Sequence, residues 1–391
     1  MSRCLFITWD GPQVSYLEGL FLPIFEGLAE HGHRFHVLQF TWGNPDRIAA
    51  IEALCRTAGI PYRAVMVNRR FGAIGPLITA VWGAKHIKSV VRDWQIDTLM
   101  PRSLMPALST LAMRDRKGLR VIFDADGFAA DERVDFSGLS PHSLNYRIMR
   151  DIEAQMVRVS DAVLTRTEAA IPILRARAGA GADSSKYYVV TNGRRISPLP
   201  RDPQSRSERD GPAICYAGSI GDQYCPDTML AVACAIRASH PDLKFKVFSA
   251  DGENMKNAIA ASRLNDSEWI SIERVAPQDV PSQLARCDVG FSFRKPTFST
   301  QGIAPIKLGD YLLAGLPIIG SAGVGNTQPL IEAGVFFPSD GSNKDEIVDW
   351  VSGTVMKNRE TIRETCRNIG ATWFSVSDSV DRYLLSFKAL Q

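Results

Sequence analysis

Short apolar runs recur along the chain, each followed by a longer stretch whose apolar positions return at the three- and four-residue steps of a helix. In the first half the runs fall at residues 4–8, 35–40, 62–67, 98–101, 120–124, 162–165 and 187–191. Helical patterns lie between them at 14–31, 47–58, 74–94, 142–160 and 168–178, and the first run ends in a turn at Asp10, Gly11 and Pro12. Strands alternating with amphipathic helices predict a parallel sheet covered on its faces. The alternation stops at 197–212, where Pro198, Pro200, Pro203 and Pro212 stand among charged residues, which reads as a linker.

Beyond the linker the alternation restarts, with strands at 213–217, 244–249, 269–272, 289–293 and 317–320 and a helix at 227–239. The chain therefore divides into a domain over 1–196 and a second over 213–370. Both are α/β and Rossmann-like, with two parallel sheets facing a central cleft and ligands expected at the carboxyl ends of the strands.

Composition supports two cores and narrows the chemistry. The chain has 391 residues, 45% hydrophobic and 22% charged, as in ordinary globular domains. The opening MSRCLFIT runs straight into a strand without the pattern of a secretory signal, and no apolar run approaches the roughly 20 residues of a membrane span, so a cytoplasmic protein is expected. Seven scattered cysteines and no histidines at metal-ligand spacing point to free thiols and no metal site. A sequence pI of 8.4 without an aromatic-basic motif argues against a nucleic-acid partner. The basic surplus sits in the first half. Arg63, Arg69, Arg70, Lys85, Lys88, Arg92, Arg114, Arg116 and Lys117, together with Phe71, Ile74, Leu77, Trp82 and Trp94, mark either an anionic membrane surface or ordinary solvated helices with a buried apolar side.

The segment PIKLGDYLLAGLPIIGS at 305–321 resembles the most characteristic stretch of family 4 retaining glycosyltransferases, glycosyl transferases group 1: a helix with an acidic residue near its start, then Gly, Leu, Pro and a strand. VAPQDVPSQLARCDVGFSF at 275–293 is similar to the unit preceding it. VIFDADGFAADERV, LTRTEAAI, VVTNG and YAGSIGD follow the family order upstream. The terminal WFSVSDSVDRYLLSFKAL resembles the family's last helix. The resemblance implies the GT-B fold, with residues 371–391 packing back on the first domain. It also implies transfer of a sugar from a nucleotide-sugar donor, with retention and without a metal or other required cofactor. The acceptor would be a glycan or lipid-linked precursor in cell-surface polysaccharide synthesis.

The same resemblance assigns residues. A helix amino terminus approached through Gly302, Ile303 and Ala304 would receive the donor diphosphate, with Arg294, Lys295, Ser299, Thr300 and Lys307 around it. Asp310 takes the place of the family glutamate that binds ribose, and Val275 belongs to the donor-binding segment. Gly218 and Ser219 form the turn after the first strand of the second domain. That turn lacks the family's lysine, which shifts the phosphate charge onto Arg294, Lys295 and Lys307. Gly302 replaces the first acidic residue of the family pair.

In the first domain Asp126 stands where many members carry a histidine. It either orients a sugar hydroxyl or attacking acceptor or, with Asp124, caps the following segment. Gly11 is either a ligand-facing glycine or a plain turn. Asp126, Lys307 and Arg294 are the catalytic candidates. The rival readings are a nucleotide-sugar epimerase of the same fold and a non-catalytic nucleotide- or glycan-binding protein.

Overall fold

A computed structural model describes the chain except residues 13, 14, 71, 73, 180–182, 197–210, 222, 263, 265 and 391. Most of the expected linker, Phe71, Asp222 and the first residue of the 14–31 helix thus lie outside the described residues. The chain forms two compact units, Met1–Arg194 with Phe298–Ile303 and Val376–Gln391, and Arg195–Thr297 with Ala304–Ser375. The terminal helix is counted with the first unit, as the resemblance implies. The assignment of Phe298–Ile303 to that unit is not readable from the sequence.

The first unit holds seven parallel strands: β1 (Ser2–Asp10), β2 (His33–Thr41), β3 (Tyr62–Met66), β4 (Thr98–Pro101), β5 (Arg120–Asp124), β6 (Ala162–Thr165) and β7 (Tyr187–Val189), in the order β3-β2-β1-β4-β5-β6-β7. β1 is central and buried on both faces, which is why CLFI reads as a continuous apolar run instead of alternating. Its register with β2 runs from Ser2 opposite His33 to Asp10 opposite Thr41. The strand order reverses between β1 and β4, so the crevice of this sheet opens beyond Asp10 and Pro101.

The first helix departs from the regular pattern expected over 14–31. Leu17–Phe21 is a π-helical turn that continues into Leu22–Glu30. Pro23 has no N–H to give the carbonyl of Gly19, so the ladder shifts there, and Leu22 N–H reaches back to Leu17. The Gly19 carbonyl instead accepts from Arg194 Nη1 at 2.6 Å. The terminal helix Val376–Lys388 covers Leu22–Glu30: Val380 sits where any Cβ on Gly27 would be, and Phe387 stacks on His33 at 4.1 Å.

The second unit holds six parallel strands, β8 (Ala213–Ala217), β9 (Lys244–Phe248), β10 (Ile270–Glu273), β11 (Val289–Ser292), β12 (Ile318–Gly320) and β13 (Phe336–Pro338), in the order β10-β9-β8-β11-β12-β13. The sequence pattern misses β13, the edge strand of this sheet. The order reverses between β8 and β11. All seven cysteines are free thiols.

Candidate functional site

In the second unit, β8 and β11 pair only at Ile214 with Val289 and Cys215 with Gly290, and then part. Tyr311, on the helix Ile306–Leu313, fills the opening. Its hydroxyl accepts from Ala217 N–H at 2.8 Å and donates to the Phe291 carbonyl at 3.1 Å, satisfying one strand end on each side of the switch. The ring lies directly over Gly290, where an added Cβ would come within 2.6 Å of it. Tyr311→Phe leaves two buried backbone groups without their partner, and a loss of about 1–3 kcal/mol in chemical denaturation is expected.

The chain then turns at Gly218, whose φ of +130° suits glycine. The turn is tied down by Tyr216, whose hydroxyl donates to the Ser219 carbonyl at 2.6 Å. Lys307, one turn before Tyr311 on the same helix, extends beneath Gly218: a Cβ built on that glycine would stand 3.5 Å from Lys307 Nζ. The ammonium lies 3.8 Å from the ring centroid of Tyr216 and 4.5 Å from that of Tyr224. Nζ is buried and has no hydrogen-bond partner among the described residues. Burial holds its pKa well below the ordinary 10.5, and the nearby Arg294 charge lowers it further, against the opposing pull of Asp310.

Arg294 follows β11 and is buried. Its Nη2 donates to Gln223 Oε1 at 3.3 Å, its guanidinium lies 5.5 Å from the Tyr224 ring, and its Nε has no partner among the described residues. Its backbone is fixed by Ser321, whose hydroxyl accepts from Arg294 N–H and donates to Arg294 C=O. Lys295 N–H donates to the Gln223 carbonyl, which joins this loop to the Gly218 turn while the Lys295 side chain stays exposed. Arg294 also lines a cavity of about 470 Å³ with Ser321, Ser339 and Asn343 at the carboxyl ends of β11, β12 and β13.

Gly218, Ser219, Arg294, Lys295, Lys307 and Asp310 therefore gather at the β8/β11 reversal of one unit. Val275 does not, because it follows β10 at the far edge of the sheet. The expected helix terminus at 302–304 is also displaced. The helix begins at Ile306 with Pro305 as its N-cap, since proline's fixed φ suits that entry.

Ser299, Thr300, Gly302 and Ile303 instead belong to a turn packed on the first unit. Ser299 N–H donates to Asp135 Oδ2 at 2.9 Å, the Gln301 carbonyl accepts from Thr167 Oγ1, and Gly302 lies flat against the Phe128 ring. Ser299 and Thr300 are buried there. Ile303 N–H is committed to the Thr300 carbonyl. Ala304 is the first residue returned to the second unit.

The first unit has its own charged cluster at the strand ends. Asp124 ends β5 fully buried, and its Oδ2 accepts from Arg166 Nη2 at 2.8 Å with Arg102 Nε at 3.8 Å. Asp126 pairs with Arg102 Nη2 at 2.5 Å and lies 3.8 Å from Arg166 Nε. Burial pushes the Asp124 carboxyl up against the pull of Arg166. Two non-glycine residues here hold positive φ, Ser103 at +64° and Asp126 at +51°. Ser103 N–H donates to the Asp124 carbonyl.

Neither aspartate caps the next helix, Ala129–Ser137, whose N-cap is Phe128 without a side-chain bond; the capping alternative is thus corrected. Asp10, at the end of β1 beside a buried Gly11, accepts from Thr8 Oγ1 at 2.6 Å and adds its charge to the field on Arg102. Arg102 and Arg166 escaped the sequence reading. Their signal is an arginine following a four-residue apolar strand at once, as in TLMPR and AVLTR.

No protein-family model matches the sequence, and no curated protein matches it. Solved structures match over the whole chain. Anabaena HepE in complex with UDP-glucose superposes with a TM-score of 0.71 at 14% identity, covering 100% of both chains. A Rickettsia africae glycosyltransferase gives 0.70 at 13% identity over 100% of this chain and 99% of that one. A Listeria monocytogenes protein assigned as a UDP-N-acetylglucosamine 2-epimerase gives 0.60 at 14% identity over 100% and 97%. Such likenesses at low identity speak to architecture alone. The chain has the GT-B fold, built from two Rossmann-like units with parallel sheets of seven and six strands.

Proposed function

We propose that the protein transfers a glycosyl group from a nucleotide-sugar donor to an acceptor, and that the second unit binds the donor. The observation that carries this reading is the Lys307 ammonium, buried beneath the Gly218 turn at a strand-order reversal and without a hydrogen-bond partner among the described residues. A buried amine in that state has unfilled hydrogen-bond donors, and a diphosphate oxygen fills them. Departure of a nucleoside diphosphate places negative charge on the leaving oxygen, where Lys307 and Arg294 stabilise it. Asp310, on the next turn of the same helix, accepts from the ribose hydroxyls. In the first unit Asp126, held by Arg102, orients an acceptor or sugar hydroxyl. HepE, crystallised with UDP-glucose, lends support for the ligand class.

The finer reading is transfer with retention at the anomeric carbon, without a metal, onto a glycan or lipid-linked precursor. It rests on the sequence resemblance. Turnover unchanged by EDTA is the expected result, and its loss with recovery on adding a divalent cation would refute metal independence.

The test is thermal stabilisation by a panel of nucleoside diphosphates and nucleotide sugars, followed by product analysis with and without acceptor glycans. One selective ligand should raise the melting midpoint, with the rise diminished in Asp310→Ala. Conversion of that donor in the absence of acceptor to an isomeric nucleotide sugar would favour the epimerase reading, which has the Listeria likeness behind it. Binding without any turnover would favour a non-catalytic protein.

A further inference from the structure

The helix Ile74–Trp94 of the first unit is packed the wrong way round for a solvated helix. Its buried side is made of small residues in its first half. A Cβ on Gly75 would meet the Asn68 carbonyl at 2.5 Å, and one on Gly83 would meet Ser109 Oγ at 2.5 Å and the Phe40 ring at 2.9 Å. The backbone is thus drawn close to the unit, and the large apolar side chains of the same turns point outward.

Ile74 is 62% exposed and Trp82 58%, and Leu77, Ile78 and Val81 between them are also exposed. Their spacing, i, i+3, i+4, i+7 and i+8, is one helical stripe. An apolar stripe of this kind facing water marks an interaction surface.

Charge identifies the partner. From Ala53 to Arg92 the chain carries no aspartate or glutamate and seven arginines and lysines. Arg69 and Arg70 precede the stripe, and Lys85 and Lys88 follow it, all exposed. Lys85 Nζ lies 3.9 Å from the Trp82 ring centroid, an apolar body with a cationic tip. Trp94 does not belong to the stripe, because it is half-buried against His36 and Arg63.

The helix follows β3, whose last residue Met66 pairs with Thr41. The exposed turns therefore begin at the carboxyl end of the sheet, the end that carries Asp10, Arg102 and Asp126.

We infer that this face docks the protein on an anionic bilayer surface, with Ile74, Leu77, Ile78, Val81 and Trp82 entering the interface and Arg69, Arg70, Lys85 and Lys88 meeting lipid head groups. The inference stands apart from the donor reading, since it uses none of the donor residues. It does place the Asp126 end of the first sheet toward the membrane, where a lipid-linked acceptor would be presented.

The test is co-flotation of the full chain with phosphatidylglycerol-phosphatidylcholine vesicles and with pure phosphatidylcholine vesicles. The wild type should float with the anionic vesicles and be released by high salt. Leu77→Ser with Ile78→Ser and Trp82→Ser should reduce the bound fraction roughly tenfold with an unchanged melting midpoint. Lys85→Glu with Lys88→Glu keeps the apolar stripe and should lose the preference for anionic lipid by a similar factor; this second variant decides the matter if the first fails to fold. Wild type remaining unbound to anionic vesicles would overturn the inference. So would analytical ultracentrifugation showing that the same three substitutions dissociate a dimer, which would assign the face to a second copy of the chain.

Discussion

Lys307→Met is expected to stabilise the ligand-free protein while removing its affinity for nucleoside diphosphates. A buried amine without a hydrogen-bond partner among the described residues costs the folded state, and the Tyr216 and Tyr224 rings offset only part of that cost. Methionine fills a similar volume without a polar group. The expected gain is about 1–2 kcal/mol, or about 3–6 °C in the midpoint of the unit that carries it. Diphosphate affinity should fall about 100-fold with loss of a charged hydrogen bond. A variant that is both more stable and inactive is the signature of a site tuned to its ligand.

Lys307 also fixes the sign of two pH effects. Its folded pKa lies well below the 10.5 of the unfolded chain, so between those values the unfolded state binds more protons. Ligand-free stability should therefore rise with pH across that window, and the rise should vanish in Lys307→Met. A diphosphate favours the charged amine, so binding takes up a proton and affinity falls as pH rises. Calorimetry in two buffers of different ionisation enthalpy reads that proton directly.

Arg166→Met carries the largest expected loss of stability. The Arg166 side chain is 3% exposed and its partner Asp124 0%, so the variant leaves a buried carboxylate facing only the more distant Arg102. About 3–5 kcal/mol should be lost in chemical denaturation of the unit concerned. The remaining carboxyl escapes part of this cost by taking up a proton, so the deficit should shrink as pH falls, and adding Asp124→Asn should recover part of it at neutral pH. Asp126→Asn is a different case. Its carboxylate is 27% exposed, its loss should cost about 1 kcal/mol or less, and the effect should appear in turnover.

Much of the fold was legible because parallel strands buried on both faces write themselves as apolar runs, and β1 with CLFI and β5 with VIF are of that kind. β13, the edge strand of the second sheet, was not. The site was legible in part. Gly218, Arg294, Lys307 and Asp310 were singled out by position, and they do gather at one strand reversal. That Lys307 reaches the turn lacking its own lysine depends on the helix seating Tyr311 over Gly290, a contact between residues distant in sequence. The fate of Ser299, Thr300 and Gly302 depends likewise on Asp135 and Phe128, more than 160 positions away. Local pattern gives the helix start at Ile306 no mark stronger than Pro305.

The most direct measurement is a crystal structure of the protein with a nucleoside diphosphate. A phosphate oxygen is expected about 2.7–2.9 Å from Lys307 Nζ, beside Gly218. A diphosphate seated elsewhere, with Lys307 still enclosed by Tyr216 and Tyr224, would contradict it.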